Sequence, residues 1–346
     1  MALGGGVFVT QNKSLPGAYI NVRTTGSTTS TWGDRGVVAI PLALGQAEGT
    51  VIEITRSDFI KNSKTLLGKE YSDVALAPLR EIFLHANKAV IYDMGESATA
   101  ADAVSALEPY EFNILCAYTD EAADVTAYIS AVKNWRDEYG KKCQIVVHNQ
   151  TTPNHEAVIN VCSMVSDTGA PDYALVAWVA GAEAGCALNS SCTNMIYDGE
   201  YTVVSDKTQA QLVECLNNGM FVFHLVYGDI RVLEDINSLT EVTEKKGEDF
   251  KYNQTMRVVD QICNDIAKLF SVKYLGKIPN NASGRLSFWG DIVAHHNELV
   301  AMQALESFDS SQLTVEQGES KKSIVVNDAV KVTNALAQLY MTVVVS

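Results

Sequence analysis

Positive charge is scarce in this 346-residue sequence: 26 Lys plus Arg stand against 41 Asp plus Glu, a formal net charge of −15. The summed field repels phosphate and anionic lipid heads, which argues against nucleic acid and membrane as partners. Charge of either sign is sparse, at 19% against 47% hydrophobic residues, so surface is left for neighbouring protein to cover. No run approaches the roughly 20 apolar residues of a membrane span. The first ten residues lack the basic stretch and apolar run of a secretory signal, which predicts synthesis in the cytoplasm without secretion. No CxxC pair exists among the seven cysteines Cys116, Cys143, Cys162, Cys186, Cys192, Cys215 and Cys263, so a zinc ribbon or thioredoxin motif is excluded. Odd in number and mostly set in apolar runs, they read as reduced core residues.

The common catalytic fingerprints are missing as well. There is no phosphate loop of the Gly-x-x-x-x-Gly-Lys-Ser/Thr type, no Gly-x-Gly-x-x-Gly and no Gly-x-Ser-x-Gly elbow. His295 and His296 are the one imidazole cluster, but adjacent helical residues point about 100° apart and do not share a metal as an i, i+4 pair does. His148 and His155 flank Pro153 in an expected strand-to-helix connection, where α/β folds often bind ligands. Acidic pairs such as Glu234-Asp235 and Glu248-Asp249 lie in turns and read as solvated surface. No catalytic residue, metal ligand or cofactor is indicated.

Hydrophobic patterning divides the chain into four parts: an N-terminal arm at 1–30, an α/β body at 31–228, a mainly helical C-terminal domain at 229–322 and a C-terminal arm at 323–346. The fold class is α/β, mixed α+β. In the body, strands are expected at 36–44, 50–55, 89–92, 112–117, 143–148, 175–184 and 220–226. Helices are expected after Ser57 and at 73–86, 99–107, 121–139, 154–165 and 208–217. The alternation predicts a largely parallel sheet in a layered sandwich. Two longer helices follow, at 253–270 with Met256, Val259, Ile262, Cys263, Ile266 and Leu269 on one stripe, and at 287–307. Residues 324–326 read as β-prone, 329–337 as helix and 339–345 as a final strand.

The ends of the chain are distinctive. Met1 to Ser30 is too rich in Gly, Ser and Thr to build a core, yet contains the β-prone run Ala18-Tyr19-Ile20-Asn21-Val22. The last strand would place Leu339, Met341, Val343 and Val345 on one face, and Met341 to Val345 carries no charge. A monomer normally blunts such an edge, so these strands are expected to pair with another chain; docking of the last strand in its own sheet is the alternative.

The sequence resembles the contractile tail sheath family of phages, R-type bacteriocins and related injection particles, in the compact form of Gram-positive particles. The likeness rests on Leu15-Pro16-Gly17-Ala18-Tyr19-Ile20, Arg35-Gly36-Val37-Val38-Ala39-Ile40-Pro41, Val232 to Thr240, Arg257-Val258-Val259-Asp260-Gln261-Ile262 and Asn280-Asn281-Ala282-Ser283-Gly284-Arg285. The resemblance implies a non-enzymatic subunit assembled in a host cytoplasm as stacked hexameric rings around an inner tube. Baseplate and tail terminator proteins would be further partners, and contraction would drive the tube through a cell envelope in a released particle. The C-terminal domain would face the tube, and Lys268, Asp291, Glu298 and Glu306 on or beside its helices are the candidate contacts, since rim-like charges add register with little affinity. The alternative is a soluble cytoplasmic α/β enzyme with a site near His148.

Overall fold

The computed structural model of the chain describes residues 35–151, 153–244 and 246–344. The expected arm at 1–30, with Ala18, Tyr19, Ile20 and Val22, lies outside them, as does Val345.

The body is a sheet of seven strands among the described residues: β1 (Val37–Leu42), β2 (Val51–Thr55), β3 (Lys88–Asp93), β4 (Ile114–Cys116), β5 (Gln144–His148), β6 (Val158–Val161) and β7 (Met220–Phe221). Their order is β2-β3-β1-β4-β5-β6-β7, parallel throughout except for β2, which runs antiparallel to β3. All six residues of β1 are buried because the strand is covered on both faces. Val38, Ile40 and Leu42 enter one core, together with α1 (Arg56–Leu67), α2 (Ala77–Ile82) and α5 (Leu175–Gly185). Val37 and Ala39 enter the other, against α3 (Ala100–Leu107) and α4 (Ala122–Asp137). The result is the three-layer sandwich that the alternating pattern implied.

Local signals set the element ends. Thr55 caps α1 and Gly68 closes it in the left-handed conformation at φ 69°, while Thr99 and Asp102 form a reciprocal capping box on α3. At the end of β3, buried Asp93 accepts from the amides of Leu44, Gly45, Gln46 and Ala47 at 2.8–2.9 Å, and from Gly95 at 3.1 Å. Burial raises the pKa of this carboxyl, but the amides outweigh it and hold the group below its ordinary range. The amide cradle beyond β1 is therefore filled by the protein's own carboxylate.

Two body elements differ from the sequence expectation. The stretch 175–184 is helix α5, not a strand; every residue from Leu175 to Ala184 is buried, which erases the amphipathic period. Its small residues show why a helix fits: a Cβ at Gly181 would strike the backbone of Ile82, and one at Gly185 the carbonyl of His85. The stretch 154–165 is not a helix but contains β6, where Val158, Ile159 and Val161 pair with β5. Asn154 has φ 42° and its side chain accepts from the amides of Thr240 and Glu241, so it ties down the chain entering the C-terminal domain and caps no helix.

Helix α6 (Gln209–Asn217) leads into β7, and hairpin β8 (Phe223–Val226)–β9 (Asp229–Val232) spans the expected boundary at 228/229. Helix α7 (Asn253–Leu269) runs into a π turn at Phe270–Tyr274, and α8 (Ala282–Ala301) follows. Helix α8 starts five residues before the expected Ser287 because Asn281 caps it, its side chain accepting from the Gly284 amide at 2.9 Å. It ends earlier too: Leu305–Ser307 is strand β10. Strands β11 (Thr314–Gln317) and β12 (Ile324–Asn327) form a hairpin, and β13 (Lys331–Val332) pairs with β10. The expected helix at 329–337 is absent, since the run Val330-Lys331-Val332-Thr333, β-branched at three of its four positions, turns to β10. Residues 323–332 consequently fold back on the C-terminal domain, and the free part of the expected arm begins later.

Candidate assembly surfaces

Beyond β13 the chain is held by the first turn of α7. Gln254 brackets it, Nε2 donating to the Thr333 carbonyl at 3.1 Å and Oε1 accepting from the Ala335 amide at 2.9 Å, and Thr255 Oγ1 donates to Asn334 at 3.1 Å. After Ala335 that hold ends. Residues 336–344 form no strand, and among the described residues they make no hydrogen bond to the body. Leu336, Leu339, Tyr340, Met341, Val343 and Val344 are all exposed, Leu339 by 84%. Of the strand expected at 339–345, the described part, 339–344, is not formed: a strand needs a ladder partner, and the described residues offer this segment none.

The same helix is anchored to the body by buried charge. Arg257 lies between Glu183 of α5 at 2.6 Å and Asp235 at 3.3 Å, and donates to the Ser190 carbonyl at 2.8 Å. Arg35 adds donors to the carbonyls of Glu183 and Ala184. Burial and the neighbouring Asp235 raise Glu183 well above the usual carboxyl range. Burial raises the pKa of Asp235, but Arg257, the hydrogen bond with Glu183 and the Cys192 amide outweigh it and hold the group low; its Oδ2 also accepts from Ser191. Glu183, Cys192 and Asp235 converge closely enough to hold a cation, and the cation there is the Arg257 guanidinium. One turn on, Asp260 takes a bidentate pair from Arg136 of α4 at 2.6 and 2.8 Å. Body and α7 are thereby clamped together by two buried ion pairs. The sequence signals were a carboxylate inside an apolar run at Glu183, and Arg257 with Asp260 one turn apart on α7.

A second polar chain ties α8 to its surroundings. The Nδ1 atoms of His295 and His296 are 3.1 Å apart, His295 Nε2 meets Asp265 of α7 at 3.0 Å and His296 Nε2 meets Asp328 at 2.7 Å. The two rings meet because each turns toward the other while a carboxylate holds its far edge.

The four candidate tube contacts each engage a different neighbour. Lys268 stands 4.0 Å from Glu111 in a cleft of about 460 Å³ between α7 and the body. Asp291 accepts from Lys273 at 2.5 Å and from the Tyr274 hydroxyl. Glu298 is exposed beside Arg35, Leu188 and Met302, and Glu306 pairs with Lys331 across β10 and β13. His148 sits half-buried at the carboxyl end of β5, with no hydrogen-bond partner for its Nε2 among the described residues; burial lowers its pKa. Asp172 and Asp120 lie near enough to oppose that shift.

The model of the phage tail sheath central domain matches residues 95–238, and that of the phage tail sheath C-terminal domain matches residues 245–346, together well over half of the chain. The chain belongs to the phage tail sheath family. Among curated relatives of this sheath chain, the tail sheath protein of Clostridium phage phiCD119 is 28% identical over 82% of the chain and 79% of its own length. The phage-like element PBSX protein XkdK of Bacillus subtilis is 30% identical over 71% of the chain and 55% of its own. The chain spans little more than half the length of XkdK and of its Bacillus subtilis relative YqbK. Its fold matches the sheath tail protein of Desulfitobacterium hafniense at a TM-score of 0.77 and 24% identity, covering 91% of this chain and 96% of that one. It also matches the contracted helical sheath of the anti-feeding prophage at a TM-score of 0.71 and 16% identity, over 96% and 99% of the two chains.

Proposed function

We propose that this sheath chain is the repeating subunit of a contractile tail, stacked as hexameric rings around an inner tube, and that contraction drives the tube through a target envelope. The observation that carries the reading is the uncharged, exposed segment 336–344, which leaves a clamped body and has no strand partner among the described residues. An unpaired β-prone end of this kind is completed by another chain's sheet edge. In this reading the tail, with Leu339, Met341, Val343 and Val345 alternating on one face, joins a neighbouring subunit, and the arm with Ala18, Tyr19, Ile20 and Val22 joins another. A strand of about seven residues adds several main-chain hydrogen bonds worth roughly 0.5–1.5 kcal/mol each, and the mesh multiplies them over every subunit.

The clamp has a mechanical counterpart. Contraction reorients whole subunits, so α7 must move with the body while the joints hold; two buried ion pairs keep the helix in register. The inner tube, baseplate and terminator proteins are the proposed partners, and the C-terminal domain with Lys268, Asp291, Glu298 and Glu306 is the proposed tube-facing part. The test is electron microscopy of the protein co-expressed with its tube protein. Long striated cylinders with cross-links from the C-terminal helices to the tube are expected. A discrete small oligomer, or cross-links confined to 93–198, would overturn the reading.

A further inference from the structure

Two thiols from separate elements meet at the β7 edge of the sheet. Cys162 directly follows β6 and extends its ladder, its amide donating to the Phe221 carbonyl of β7 at 3.0 Å. Cys215 lies in the last turn of α6, and its Sγ is 3.6 Å from that of Cys162. Both side chains are half-buried, hence within reach of a small oxidant. Helix α6 makes the contact consequential. A Thr208 and Gln211 capping box starts it, but none of its nine residues is buried, and Val213 is exposed. No residue of the helix is fully buried, and the contact from Cys215 to Cys162 ties it to the sheet edge.

We propose that Cys162 and Cys215 form an oxidisable dithiol that closes to a disulfide outside the reducing cytosol and staples α6 to the sheet edge. Two S–H bonds break and one S–S bond forms; two electrons and two protons pass to an oxidant such as dioxygen, which leaves as hydrogen peroxide. To bond, the sulfurs must approach from 3.6 Å to about 2.05 Å. Burial and the adjacent Cys215 push the Cys162 thiol up to about 12, with Lys207 opposing. The thiol buffer of a reducing cell keeps the pair reduced, and the small thiolate fraction of Cys162 at neutral pH makes its closure slow afterwards. Only this timing rests on the chain reaching the medium as part of a particle; the bond itself does not.

The experiment uses the full-length protein treated with diamide, with a reduced control, peptide mapping without reductant and hydrogen exchange on both. Two of the seven titratable thiols are expected to disappear. A crosslinked peptide pair carrying Cys162 and Cys215 should account for them, with slower amide exchange across 209–217. Cys215→Ser should keep Cys162 alkylatable after the same treatment, and Cys162→Ser should do the same for Cys215. The proposal is overturned if both thiols are fully alkylated after diamide, or if the first disulfide to form joins any other pair. Sheath assembly by oxidised and reduced protein alike would leave the function above intact, so the two readings fail separately.

Discussion

Successive turns of α7 face two regions of opposite character. Arg257 reaches into a site where its side chain is 2% exposed and two carboxylates compete for it, whereas Gln254, three residues earlier, holds the root of a segment whose Leu336 is fully exposed. The first region is complete within one chain and lies deep in low dielectric; the second is incomplete and projects into water. Buried ion pairs add little net stability compared with an apolar replacement, but losing one partner is severe because the other charge stays buried and uncompensated. An exposed strand without a ladder contributes nothing to its own fold and gains its energy only when paired. The difference teaches that stability and assembly are carried by separate parts of the same domain.

The largest effect should come from the clamp. Arg257→Ala leaves Glu183 and Asp235 facing each other without a cation, and should cost about 3–5 kcal/mol in urea unfolding. Arg257→Lys should recover only part of this, because a point charge replaces the planar fork that reaches Glu183, Asp235 and the Ser190 carbonyl.

The next effect separates packing from charge within the clamped region. Gly181→Val drives a side chain into the Ile82 backbone where α2 crosses α5, and should destabilise by about 1–3 kcal/mol without altering the pH dependence of folding. An unchanged unfolding midpoint would show that the crossing is looser than the structure describes.

Glu81 gives a smaller, pH-dependent effect. Burial pushes its carboxyl up to about 7, although Tyr197 and the Glu200 amide donate to it. Between about pH 4.5 and 7 the folded chain holds a proton that the unfolded chain has lost. The contribution favours folding at the acid end and is lost as pH rises through about 7. Glu81→Gln should therefore flatten the stability profile between pH 5.5 and 8 by about 1–3 kcal/mol, read from urea midpoints at each pH.

What the sequence showed in advance follows the same division. β1, β3 and β5 were legible because short β-branched runs sit between clear turns, and α7 because its apolar stripe has the helical period. α5 and β6 exchanged types because complete burial removes the periodicity that tells helix from strand; the small residues that decide α5 act through contact with α2, which is remote in sequence. The Arg257 clamp could not be paired from sequence, since its members lie at 183, 235 and 257 and meet only in the folded chain. The tail was legible as β-prone and uncharged, but its lack of a partner among the described residues is a property of the fold.

The smallest effect on folding is expected from the tail, and it carries the central claim. Deleting Leu339 through Ser346 removes no buried contact among the described residues, so the urea midpoint should move by less than about 0.5 kcal/mol. Sheath formation on tubes, scored by electron microscopy of the same preparation, should be lost. A truncated protein that keeps its unfolding midpoint and stays unassembled is the predicted result; one that still builds full-length sheaths contradicts the account.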